Sequence, residues 1–232
     1  FIRAGCADEE SFQQEYMCNP ADDDVAFLEY DLIAAAEYAQ GVNWSDRQQG
    51  RLYAGVDIGR KHDLTVLWVV EELGDVRYTR HVESLRGMTK SQQEAILWPW
   101  FERCDRVCID QTGLGIGWVD DAVDKFGTYK VEGVTFTPRV KEELAYPVRG
   151  AMEDRRLRIP YDPHIRADLR SVTKQTTGAG NIRFTAERNA DGHADRFWAL
   201  ALALHAASRP SAPIEYMSSG PRAVFTGMEG FV

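Results

Sequence analysis

Residues 53–70 read YAGVDIGRKHDLTVLWVV. Tyr53 to Ile58 has the β-branched and aromatic composition of a buried strand, and Gly59 closes it. Side chains alternate across a strand, so Val56 and Ile58 share one face while Asp57 joins Tyr53 and Gly55 on the other. An ionised carboxylate in a core is costly unless a partner or a metal ion meets it. Asp57 is therefore either a polar residue at a strand end or one member of a site. The rest of the chain has to supply the other members.

Downstream, Leu64 to Val70 and Asp75 to Val82 read as two more strands around the turn Gly74-Asp75, giving three consecutive antiparallel strands. Thr89 with Gln92 forms a capping box, and Ile96, Leu97, Trp100 and Phe101 follow at helical spacing. Arg106 to Asp110 is a fourth strand. Gly113, Gly115 and Gly117 open a turn into a helix over 118–126, and Val131 to Phe136 is a fifth strand. This order predicts an α/β fold, a mixed five-stranded sheet with helices on both faces. Helices are expected over 141–155 and 163–172, with a short extended piece over 157–160 between them. An added hairpin is expected from 173–177 and 182–185, turning at Gly178 to Asn181. Residues 195–207 are apolar nearly all round, the pattern of a buried helix.

The net charge of −9 is unevenly spread. Residues 1–50 contain 11 acidic residues against Arg3 and Arg47, which accounts for all of it, and residues 138–188 carry a basic excess of four. Acidity overall thus leaves room for a nucleic-acid partner. The chain divides into an acidic extension over 1–48, a core domain over 49–208 and a tail over 209–232. Phe27, Leu28 and Leu32 are expected to pin the extension to the domain surface, with Phe12 and Tyr16. No apolar run is suited to spanning a bilayer, and the start at Phe1 lacks a signal-peptide pattern and suggests an excised piece of a longer protein. Cys6, Cys18, Cys104 and Cys108 fit no zinc-binding spacing, and Cys104 and Cys108 read as small buried hydrophobes.

Asp110 repeats the situation of Asp57, ending an apolar strand before a glycine-rich turn, and Asp195 begins the apolar helix. With the strands ordered third, second, first, fourth, fifth, the first and fourth lie side by side, which brings Asp57 next to Asp110. A helix crossing their ends adds Asp195. Carboxylates that close repel one another, so the group is sensible only around cations. Hard oxygen ligands suit Mg²⁺ or Mn²⁺, and two such ions about 3.5–4 Å apart can flank a phosphodiester.

The segments GVDIGRKHDLTVLWVV (55–70), VCIDQTGLG (107–115) and DGHADRFWALALALHAA (191–207) together resemble the ribonuclease H-like nuclease of large terminase subunits from tailed bacteriophages. SFQQEYMCNPADDDVAFLEYDLI (11–33) is similar to the linker that precedes that nuclease, and VKEELAYPVRGAMEDRRLRIPYDPHIRADL (140–169) to its later helices. The resemblance implies a metal-dependent endonuclease that cuts concatemeric viral DNA during genome packaging. It matches Asp57, Asp110 and Asp195 to catalytic metal ligands, with Asp191 as a further ligand and His193 and Asp63 in reserve. The implied partners are double-stranded DNA, an ATPase motor domain of the same polypeptide, the portal and the small terminase. The implied setting is the host cytoplasm. No G-x-x-x-x-G-K-[ST] motif occurs, so the motor is expected outside this chain. Lys141, Lys174 and Arg183 are the foremost candidates for phosphate contacts, with Arg149, Arg155 and Arg156 behind them. Rival readings are an actin-like nucleotide-binding ATPase or kinase fragment, which shares the DIG strand, a Holliday-junction resolvase or transposase, and a non-catalytic interaction module.

Overall fold

The structure is a computed structural model, and it describes residues 26–38, 49–59, 64–113, 115–176, 182–186 and 194–208. The expected strand in 53–70 is β2 (Arg51–Asp57), followed by β3 (Thr65–Leu73) and β4 (Val76–Leu85). These three are antiparallel neighbours, as the tight turn at Gly74 requires. Helix α2 (Lys90–Arg103) starts at Thr89 with the complete capping box, and β5 (Arg106–Asp110) returns parallel to β2. Helix α3 (Gly115–Phe126) leads to β6 (Val131–Val134), which adds in parallel to β5.

The five strands hold the expected order, but the sheet is wider than expected. Strand β7 (Leu157–Pro160) pairs in parallel with β4, and the two-residue β1 (Glu37–Tyr38) pairs with β7, giving seven strands ordered β1-β7-β4-β3-β2-β5-β6. The extended piece expected over 157–160 is thus a strand of the main sheet, seated on the open edge of β4, while the two residues of β1 are too few for a recognisable alternation. A separate hairpin joins β8 (Val172–Thr176) to β9 (Ile182–Ala186).

Alternation along β2 sorts the core into two layers. Leu52, Ala54 and Val56 face α2 and α3, packing with Leu97, Phe101, Trp118 and Ala122. Tyr53, on the other face, joins Trp68, Cys108 and the buried helix α6 (Asp195–Ser208). Helix α4 (Pro138–Glu153) and helix α5 (Pro163–Ser171) complete that layer. Helix α6 is apolar all round because it touches β2, β3, β5, α4 and α5. Among the described residues no helix is long and apolar enough to cross a membrane.

The leading segment is built in more deeply than a surface attachment. Phe27 and Leu28 are buried in the same core as α6, and helix α1 (Tyr30–Ala36) buries Ile33 and Ala36, leaving Leu32 half-buried. The one-turn spacing of Ile33 and Ala36 sets the inward face. Arg149 donates to the Phe27 carbonyl (2.9 Å) and to Glu29, while Arg166 forks onto Glu37 at 2.9 and 2.6 Å. Phe12 and Tyr16 lie outside the described residues.

One contact fixes how near α6 comes to the sheet. A Cβ on Gly55 would fall 2.1 Å from the Ala199 carbonyl oxygen and 2.3 Å from the Ala203 nitrogen. The backbones meet there with no room for a side chain. Gly55→Val should therefore lower stability by about 3 kcal/mol, the upper end for overpacking, in urea unfolding. A loss within about 0.5 kcal/mol would show that α6 can move away freely.

Candidate active site

Asp57 ends β2 and Asp110 ends β5, and the two strands run parallel with Gly55 beside Cys108 and Val56 beside Ile109. One more step in that register sets Asp57 beside Asp110. Both side chains lie on the α6 face, two residues beyond Gly55 and Cys108. Asp195 is the first residue of α6 and is buried at the same end of the sheet. Each of the three carboxylates is less than a tenth exposed.

Their proximity shows in their electrostatics. Burial pushes the Asp57 carboxyl well above the usual carboxylate range, and the charges of Asp195 and then Asp110 add to that push. Burial also raises Asp110, moderated by hydrogen bonds from Thr112, whose backbone N–H reaches Asp110 Oδ1 at 2.8 Å. The cation among them is Lys141, from the first turns of α4. Its ammonium is lowered by burial and by Arg183, and held up by Asp57 and Asp110. It lies 4.5 Å from the Trp198 ring centre and 5.4 Å from that of Phe136, a cation–π seat.

Lys141 and Arg183 share a recess of about 400 Å³ with Phe136, Thr137, Phe184 and Trp198. Lys174 does not join them. It pairs across the hairpin with Phe184, whereas Arg183 pairs with Gln175, so the two cations point to opposite faces, and Lys174 rests over Tyr146. Arg149 is occupied by Glu153, Glu29 and the Phe27 carbonyl, and Arg156 pairs with Asp154. Asp63, Asp191 and His193 lie outside the described residues.

One residue escaped the sequence reading. Asp168 in α5 is fully buried and accepts from Arg196 twice, from the backbone N–H at 3.2 Å and from Nη1 at 3.0 Å. It anchors the first turn of α6, where Asp195 sits, and its charge also raises Asp57. The available signal was an acid at an apolar position, since Ile165, Asp168 and Leu169 share one helical face.

The donor set fits a hard divalent cation. Three buried carboxylates, with Asp57 and Asp110 raised above the usual carboxylate range, are an arrangement that a doubly charged ion bound to oxygens would stabilise. The clustered acids can thus hold metal, while Lys141 and Arg183 present positive charge beside them.

The large terminase nuclease of thermophilic phage G20c, solved with bound magnesium and also with cobalt and with zinc, is 24% identical in the magnesium form. That match covers 76% of this chain and 95% of that one, with a TM-score of 0.62. The large terminase nuclease domain of Thermus phage P74-26 is 23% identical over 75% of this chain and 92% of its own, with a TM-score of 0.59. The HK97 bacteriophage large terminase is 14% identical at a TM-score of 0.59, and the match covers 77% of this chain but 43% of that longer protein. No curated protein sequence matches the chain. At these identities the solved structures establish the fold, a ribonuclease H-like sheet. The model of the terminase RNaseH-like domain matches residues 54–207, from the strand that ends in Asp57 through the helix that Asp195 begins, and the chain belongs to that family.

Proposed function

We infer that this chain is a divalent-metal-dependent DNA endonuclease that cuts concatemeric viral DNA during genome packaging. The observation that carries the reading is the convergence of Asp57, Asp110 and Asp195, buried and mutually repelling, at one end of the sheet. They are the residues that would hold two Mg²⁺ or Mn²⁺ ions, with Asp191 as an additional ligand. Bound there, the ions supply an activated water and stabilise the charge that develops on the leaving 3′ oxygen. The rest falls to the chain itself. The Thr112 N–H fixes the orientation of the Asp110 carboxylate. Lys141, seated on Trp198, and Arg183 across the recess receive the DNA backbone next to the carboxylates. Lys174, on the Phe184 face of the hairpin beside Tyr146, is proposed as a further contact along the duplex. Family membership favours this nuclease over the actin-like kinase reading.

The nuclease unit is proposed to span 49–208, with 1–48 as the linker to an ATPase motor of the same polypeptide and 209–232 as a tail. Portal and small terminase are the further partners proposed, in the host cytoplasm. Supercoiled plasmid incubated with Mg²⁺ or Mn²⁺ should be nicked and linearised, and excess EDTA should stop this. Cutting that persists undiminished in EDTA would sink the reading. Binding to duplex DNA should be weak, insensitive to sequence and steeply salt-dependent. Each phosphate contact contributes about 0.9 to the slope of log K against log salt, so Arg183→Ala should lower that slope by about 1. An unchanged slope would take Arg183 out of the DNA contact.

A further inference from the structure

We propose that Cys108, Glu132 and His205 form a second cation site, separate from the carboxylate cluster and suited to Zn²⁺. Cys108 of β5 and Glu132 of β6 are register partners on the α6 face of the sheet, and His205 comes down on them from the last turn of α6. Their ligand atoms lie within 4.8 Å of one another: Cys108 Sγ is 3.8 Å from Glu132 Oε2, and His205 Nε2 is 3.6 Å from Glu132 Oε1. Bonds of about 2.0–2.3 Å to a tetrahedral Zn²⁺ set ligand atoms roughly 3.3–3.8 Å apart, so small side-chain shifts close the site.

The donors define the ion. One sulfur, one imidazole nitrogen and one carboxylate oxygen suit a borderline metal and not Mg²⁺, whereas the all-oxygen cluster around Asp57 has the reverse preference. The two sites use different residues of the same elements: on α6 Asp195 and His205 are ten residues, about 15 Å, apart, and on β5 Cys108 precedes Asp110 by two residues, about 7 Å. Arg106 does not exclude the ion. Its guanidinium is paired with Glu132 through Oε2 and lies beside the Cys108 thiol, while His205 approaches Oε1. That is how outer groups commonly orient a ligating carboxylate. Glu132 and His205 are about a quarter exposed and offer the way in to the buried sulfur, whose proton leaves to solvent as the metal–sulfur bond forms.

The test is a Co²⁺ titration of the metal-free chain followed by absorbance. Wild type and Asp57→Ala should both develop a thiolate-to-cobalt charge-transfer band and the strong visible bands of a tetrahedral ion. One equivalent of Zn²⁺ should erase them and excess Mg²⁺ should not. Cys108→Ala should lack the charge-transfer band, and Glu132→Gln or His205→Gln should weaken binding by about tenfold or more. If Cys108→Ala does not fold, the two rim variants, checked by circular dichroism, decide alone. No charge-transfer band in folded wild type overturns the proposal, as does an unaltered titration in His205→Gln. Because Asp57→Ala serves as the background, failure of the nuclease reading leaves this result standing, and the reverse holds too.

Discussion

Asp57→Asn leaves supercoiled plasmid uncut in Mg²⁺, and in EDTA above neutral pH it melts at a higher temperature than wild type. The first effect should be on the order of a thousandfold or more in rate, because several kcal/mol of charge stabilisation would depend on the ions that this carboxylate is proposed to hold. The second follows from linkage. Burial and the charges of Asp195 and Asp110 raise the folded-state pKa of Asp57 above its unfolded value. Between those two values the folded chain binds more protons than the unfolded one, so stability falls as pH rises through that window. Asparagine has no proton to lose. The melting gap should therefore be small at pH 4, open as pH rises, and reach several degrees, on a scale where 1 kcal/mol is worth about 2–4 °C. Adding Mg²⁺ should stabilise wild type and do far less for the variant. A gap that does not change with pH would mean that Asp57 is not crowded by its neighbours.

The second large effect belongs to a residue with no direct part in the chemistry. Asp168→Ala removes the acceptor for two hydrogen bonds from Arg196 and leaves a guanidinium that is 11% exposed without its counter-charge. Breaking a buried pair from one side costs about 3–5 kcal/mol, which urea unfolding at pH 7 would read directly. Asp168→Asn, which still offers an oxygen to the Arg196 N–H, should lose clearly less. Because Arg196 follows Asp195, any folded Asp168→Ala should also cut plasmid more slowly. Wild-type stability in Asp168→Ala would show that Arg196 finds another partner.

The central strands and the three clustered acids were legible in the sequence because each has a local cause. A strand that ends in Asp beside glycine is visible in 53–59, and again in 106–113. The register that joins Asp57 to Asp110 follows from placing β5 parallel to β2. What could not be read was decided by partners distant in the chain. That β7 and then β1 join the main sheet depends on the open edge of β4, and the Asp168–Arg196 pair depends on α5 meeting the start of α6. Lys174 and Arg183 looked equivalent until the pairing of β8 with β9 set them on opposite faces. Cys108 read as a small buried hydrophobe because its neighbours Glu132 and His205 come from two other elements.

The leading segment also has a mechanical meaning. Phe27 N–H donates to the Val172 carbonyl at 2.8 Å, Ala26 bridges to Thr173, and Arg149 and Arg166 rivet Phe27, Glu29 and Glu37 to α4 and α5. The Phe27 ring meets Phe184, the neighbour of Arg183 in β9, with centroids 4.8 Å apart. A pull applied at residue 26 would load the start of the hairpin first, before any strand of the main sheet. Tension would thus reach the recess of Lys141 and Arg183 while the carboxylates at the ends of β2 and β5 stayed in place, so on the proposed reading stretching would loosen the hold on DNA before it disturbed the acidic cluster.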